Sequence, residues 1–286
     1  MAPVASRPAD PRERPIAVFD SGVGGLTVLH ELLVALPQED FVYLADGARF
    51  PYGTRTQADL RRCALQVAEE LLARGAKLLV VACHSATAAA LPALRERMLQ
   101  TTLGIDVLGV VQPAAVQAVA ASRNGRVGLL ATPAAVKSGA YERAIAGVDP
   151  FVEVTAVACP DLAGIIEEGQ LDEHVMQTVR GYCAPLRDAG VDTVILGCTH
   201  YPLVAPMLQR LLGPRVRPIA SGGPVARQVE HVLGARGLAN TREGEGDYRF
   251  LTTGDPQAFR AKGSRFLQLP IGEVEHVVLP AGEAAA

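Results

Sequence analysis

Val80-Val81-Ala82-Cys83-His84-Ser85 and Ile195-Leu196-Gly197-Cys198-Thr199-His200 read as two copies of one device. Each is an apolar, strand-like run that stops at a cysteine, passes through hydroxyl and imidazole groups, and leads into a helix-like stretch. A buried strand that ends in front of a helix is half of a parallel βα unit, and sites in such sheets lie beyond the carboxyl ends of the strands. A thiol there faces the positive end of the next helix, which favours the thiolate. Two such thiols suggest a pair of bases.

The same alternation extends outward in both directions. Residues 16–19 read as a strand, 20–25 as a Gly-rich turn and 26–36 as a helix that Pro37 closes; 41–44 is a strand, and 45–54 a loop rich in Gly, Pro and Tyr. Residues 56–74 have helical apolar spacing at Leu60, Ala64, Val67, Leu71 and Leu72 and end at Gly75, before the strand at 78–82. Further on, strands are expected at 127–130, 152–156 and 193–196, with helices at 134–146 and 171–189. Beyond residue 219, 224–234 looks helical and 248–252 strand-like. This is the pattern of an α/β protein with doubly wound parallel sheets covered on both faces. The expected division is a disordered tail at 1–15, a first domain at 16–112 completed by 222–275, a second domain at 113–221, and a flexible tail at 276–286.

With 286 residues, 49% hydrophobic and 20% charged, the chain has the composition of a soluble globular protein of about two domains. A net charge of −3 gives no electrostatic footprint for nucleic acid. No run approaches the ~18 apolar residues of a membrane span. The first fifteen residues lack the apolar segment of a secretory signal, and the cysteines, an odd five, are scattered, so reduced thiols in a cytoplasm are expected.

Cys63, Cys159 and Cys183 read as small core residues. Cys83 and Cys198, with polar neighbours at strand ends, admit three chemistries. Zinc would draw on both cysteines with His84 and His200, but spacings of Cys-His and Cys-x-His are tighter than structural zinc sites use. A cysteine nucleophile with a histidine base would leave the second cysteine unexplained. A two-base proton transfer uses both: one thiolate removes a proton from carbon while the opposite thiol delivers one to the other face. Such a site must stabilise a carbanion by preorganised charge. The three lysines, Lys77, Lys137 and Lys262, do not adjoin the cysteine motifs, so a pyridoxal Schiff base is unsupported and no cofactor is expected. The turn at Asp20-Ser21-Gly22 could cradle an anion with its amides, but it matches neither a P-loop nor a dinucleotide fingerprint. Asp20 itself is well placed to orient an amine or a thiol.

The runs 16–33 (IAVFDSGVGGLTVLHELL), 46–54 (DGARFPYGT), 80–88 (VVACHSATA) and 194–203 (VILGCTHYPL) resemble the bacterial glutamate racemase family, within the aspartate/glutamate racemase superfamily. The resemblance implies two similar α/β domains facing each other across a central cleft, often in a homodimer. It implies cofactor-independent, metal-free racemisation of glutamate, whose D-enantiomer feeds peptidoglycan synthesis. By resemblance, Cys83 and Cys198 are the acid/base residues, Asp20 and His200 assist them, and Glu167 is a further carboxylate near the site. Asp20, Ser21, Tyr52, Gly53, Thr132, Thr199 and His200 match substrate-contacting positions. Where the family reads Cys-Asn-Thr-Ala, this chain has Cys83-His84-Ser85-Ala86. Ser85 keeps a hydroxyl for substrate; His84 puts a bulkier group where an asparagine helps hold it. Gln112, Ala131, Ala135 and Ala220 also depart from the usual residues. A sister racemase for aspartate, or a binding protein that has lost turnover, would share the same cleft.

Overall fold

The computed structural model describes residues 10–100, 104–169 and 173–280. Among the described residues, ten strands form two sheets: β1 (Ile16–Asp20), β2 (Phe41–Ala45), β3 (Leu78–Val81), β4 (Asp106–Gly109), β5 (Arg126–Ala131), β6 (Glu153–Ala158), β7 (Thr193–Gly197), β8 (Arg217–Ile219), β9 (Tyr248–Thr252) and β10 (Val274–His276). The first sheet has the order β10-β9-β2-β1-β3-β4 and the second β6-β5-β7-β8. Every pairing is parallel.

The central strands are apolar over most of their length because helices cover both faces. β1, β2, β3 and β7 are buried at every residue, whereas edge strand β6 is not. Phe19, Tyr43 and Leu44 are fully buried, and each such side chain contributes on the order of 2 kcal/mol of hydrophobic stabilisation.

The two sheets share an internal order. In the first, β1 lies between β2 and β3, with β4 beyond; in the second, β5 lies between β6 and β7, with β8 beyond. The chain therefore reverses its winding direction between β1 and β3, and again between β5 and β7. Those two crevices are where side chains at the carboxyl ends of strands are free to meet a ligand. Asp20 and Cys83 border the first crevice, and Thr132 and Cys198 the second.

Several elements differ from the sequence expectation. The helix expected at 134–146 is two, Pro133–Ser138 and Ala140–Ala146, separated at Gly139, which takes φ 63°. The helix expected at 171–189 is described as Glu173–Asp188, its first two positions lying outside the described residues. Of the expected N-terminal tail, 1–9 lie outside the described residues, but 10–15 are not disordered. Pro11–Glu13 form a 3-10 turn, the Arg12 carbonyl accepts from Lys77 Nζ at 2.5 Å, and the Pro15 carbonyl accepts from Lys77 N at 2.9 Å. The expected C-terminal tail begins inside structure too: His276 ends β10, and Val277, buried, donates its N–H to Thr252 O at 2.8 Å. Residues 281–286 lie outside the described part.

Candidate active site

A cavity of about 340 Å³ lies where the two crevices face each other. From the first sheet's side, Asp20, Ser21, Tyr52, Gly53, Cys83, His84 and Ser85 line it; from the second, Thr132, Cys198, Thr199 and His200. The predicted residues thus converge, save Glu167, which stands behind His200.

Local folding explains the convergence. Cys83 ends the β3 segment as the N-cap of the helix His84–Leu99, its Sγ accepting from Ala86 N at 3.5 Å. Cys198 has no such cap: after β7 the chain enters a short 3-10 turn, Tyr201–Val204, and only then the helix Ala205–Leu212. The two cysteine motifs are copies in strand but not in helix.

The Gly-rich turn after β1 makes room for the second cysteine motif and holds a carboxylate of the chain's own. A Cβ on Gly24 would lie 2.4 Å from both His200 Nδ1 and Thr199 Oγ1, so only glycine admits the second cysteine motif. The amide of Gly25 donates to Asp20 Oδ2 at 2.7 Å, so the anion in this cradle is the chain's own carboxylate. Thr199 Oγ1 donates to the same oxygen at 3.2 Å, and Thr27 Oγ1 donates to Thr199 O at 2.9 Å. A second seam is made by hydroxyls: Ser85 Oγ and Thr132 Oγ1 lie 2.8 Å apart, and Ala134 N donates to Gly53 O at 2.9 Å.

Each thiol has its own proton partner. Asp20 neighbours Cys83 and is buried, its Oδ2 accepting from Gly25 N and Thr199 Oγ1. Burial raises the Asp20 pKa, against the charge of His200 and hydrogen bonds from Cys83 and Gly25. Burial, followed by the charge of Asp20, pushes the Cys83 thiol well above its ordinary value. On the other side, Cys198 Sγ lies 3.8 Å from His200 Nδ1, and His200 Nε2 lies 3.2 Å from Glu167 Oε2. Burial opposes protonation of His200, but hydrogen bonds to Cys198 and Glu167 outweigh it and raise its pKa to about 10. Glu167 is likewise penalised by burial yet lowered overall by hydrogen bonds to His200 and Lys262.

His84 is buried, and its Nδ1 lies 2.5 Å from the Tyr141 hydroxyl. Burial alone lowers its pKa to about 3, so it is a neutral imidazole at physiological pH. The four candidate zinc ligands do not gather: His84 turns to Tyr141 and His200 to Glu167. Among the described residues, no group of three or more His, Cys, Asp or Glu is placed to hold a metal ion.

The sequence profile described as Asp/Glu/Hydantoin racemase matches residues 21–224, a span that includes both cysteine motifs. The chain belongs to the Asp/Glu/Hydantoin racemase family. Within this racemase family it is 44% identical to a glutamate racemase of Geobacter metallireducens, over 93% of this chain and 97% of that protein. A crystal structure of a glutamate racemase isoform from Bacillus anthracis superimposes with a TM-score of 0.88 at 36% identity, covering 95% of this chain and all of that one. A glutamate racemase from Francisella tularensis, crystallised in complex with D-glutamate, gives 0.85 at 34% identity, covering 93% and 98%.

Sequence reasoning missed one wall of this racemase cleft. Pro160, Asp161, Ile165 and Glu168 line it from the segment after β6, and Phe50 and Pro51 from the loop after β2. The strand-end rule that picked out the other residues applied to β6 too, but the strand runs on to Ala158, so its carboxyl end fell two residues beyond the expected limit. Lys262, unlinked to any motif in the sequence, donates to Glu167 Oε1 at 2.8 Å.

Proposed function

We propose that this chain is a glutamate racemase that works without a cofactor by two-base proton transfer, with Cys83 and Cys198 as the acid/base pair. The observation that carries this is one cavity lined by both thiols, each with a separate proton partner. Glutamate enters between the sheets with its α-carbon between the sulfurs. One cysteine, as thiolate, takes the α-proton; the other, as thiol, protonates the opposite face of the planar carbanion and becomes the thiolate. The proton count of the enzyme is unchanged, and the reverse reaction exchanges the roles.

The carbanion is the difficulty, since an amino-acid α-proton is far less acidic than a thiol of pKa ~8.5. Preorganised donors lower that barrier: Thr199, Ser85 and Thr132 offer hydroxyls, and His200 a protonated imidazole, at the cavity wall. Asp20 and His200 assist the thiols on opposite sides, and Ser21, Tyr52, Gly53 and His84 complete the contact surface. Glutamate is favoured over aspartate by the names of the relatives. By the same likeness the chain acts as a homodimer in the cytoplasm and provides D-glutamate for peptidoglycan. No helix of the described residues is long and apolar enough to cross a membrane.

The test is α-proton exchange in deuterium oxide with L-glutamate, D-glutamate and L-aspartate. Exchange and loss of optical activity with glutamate alone are expected. Faster turnover of aspartate would reassign the substrate, and no exchange with any amino acid would leave only a binding protein.

A further inference from the structure

Glu167 occupies an unfavourable place. It is the penultimate residue of the short helix Leu162–Glu168, where the backbone carbonyls concentrate negative charge, and it is mostly buried. A carboxylate there needs cations. Two come from one helix of the first sheet's layer, Pro256–Leu267, across the seam. Arg265 Nη2 donates to the carbonyls of Ile166 and Glu167 at 2.6 and 3.0 Å, capping the helix end. Lys262 Nζ instead reaches the carboxylate, donating to Oε1 at 2.8 Å, while Oε2 faces His200 Nε2.

The two cations differ in what they control. Arg265 bonds only the main-chain oxygens of this helix, its guanidinium lying over the Phe266 ring at 5.2 Å, so its contribution is to hold the helix end in place. Lys262 fixes which carboxylate oxygen is left for the imidazole. His200 is held edge-on by Phe266 of the same helix, with ring centroids 5.2 Å apart, so its ring has little freedom to follow a carboxylate that swings away. We propose that Lys262 is a positioning residue for the reaction: its ammonium aims Glu167 at His200, and through that imidazole sets the hydrogen bond presented to the Cys198 sulfur. The relay Lys262, Glu167, His200, Cys198 crosses from the first half of the molecule to the second. It rests on the assignment of Cys198 as an acid/base residue.

The test is Lys262→Met, which keeps a straight, helix-compatible stem on a half-exposed position, beside Lys262→Arg, Glu167→Gln and the double variant. Lys262→Met is expected to lower kcat about tenfold in both directions with KM changed less than twofold, the loss fitting one charge-assisted hydrogen bond at one remove from the thiol. Lys262→Arg restores most of the rate. The charged groups facing Glu167 are His200, Lys262 and Arg265, with Asp255 on the wall of the adjoining cavity. Removing Lys262 takes away one of the two side-chain hydrogen bonds that keep Glu167 ionised, so the acid limb of kcat moves to higher pH. In a Glu167→Gln background Lys262→Met has no further effect. An unchanged kcat in Lys262→Met, or a full tenfold loss on top of Glu167→Gln, overturns the proposal. Cys198→Ser separates its failure from that of the underlying site: if that variant racemises at the wild-type rate, the site assignment falls and the relay with it.

Discussion

The two thiols of the cleft are held by opposite kinds of chemistry. Cys83 caps a sixteen-residue helix and has a buried carboxylate as partner, and burial with that negative charge keeps its proton on. Cys198 caps nothing and faces an imidazole whose pKa is raised to about 10. A symmetric reaction needs a base on each face of the α-carbon, and the two halves supply those bases with different partners, a carboxylate for one and an imidazole for the other. The lesson is that a repeated strand motif fixes where a thiol stands, while the non-repeated surroundings fix which group stands beside it.

The largest effect should come from the sulfurs themselves. Cys83→Ser and Cys198→Ser are each expected to reduce racemisation by at least ~1,000-fold, as removal of a general acid/base does, with the circular-dichroism spectrum of the fold retained. If either variant works at full rate by polarimetry, the division of labour is not real.

How much of this was legible in the sequence follows from what made each signal local. The α/β alternation and both cysteine positions were readable because a buried parallel strand is a continuous apolar run. β4, β8 and β10 escaped because each combines a run of only three or four residues with a place at a sheet edge, unlike the equally short but central β3. The helix His84–Leu99 was expected after the first cysteine motif but without bounds, because it is rich in alanine and buried around much of its circumference, so no polar stripe marks its length. Lys262 was weighed only as a Schiff-base candidate. Its partner is 95 residues away in sequence, and no spacing rule links them. Glu167 was visible only through family resemblance, for the same reason.

Exchanging the proton partners sharpens the contrast at a second level. Asp20→Asn and His200→Asn are each expected to lower kcat about 100-fold with a smaller change in KM. Only one should reshape the pH profile at the alkaline end. His200 is protonated below about 10 and loses its proton as pH rises through that value, so the wild type has a limb there that Asp20→Asn keeps and His200→Asn lacks. A shared alkaline limb in both variants would assign it elsewhere.

The smallest effect concerns His84, the departure beside Cys83. Its folded pKa of about 3 lies below the ~6.5 of the unfolded chain, so the unfolded state binds more protons between those values. Its contribution to stability is therefore present above about pH 6.5 and lost as pH falls toward 3. His84→Asn should move the acid-unfolding midpoint to lower pH, while at pH 7 stability changes by only about 1 kcal/mol, the worth of the hydrogen bond with Tyr141. An unmoved acid midpoint by circular dichroism would show that the imidazole titrates normally.

The sheet that carries Cys83 is finished by the last strands of the chain. β9 covers the flank of β2, and the helix Pro256–Leu267 that follows it brings Lys262 to Glu167. A nascent chain stopped at residue 247 would present Phe41–Ala45, buried at every residue in the finished protein, as a bare edge able to pair with another copy. It would also lack the cation behind His200. Covering of that edge and the full rate of turnover thus depend on the same segment, so one truncation would be expected to expose a sticky strand and slow the reaction together.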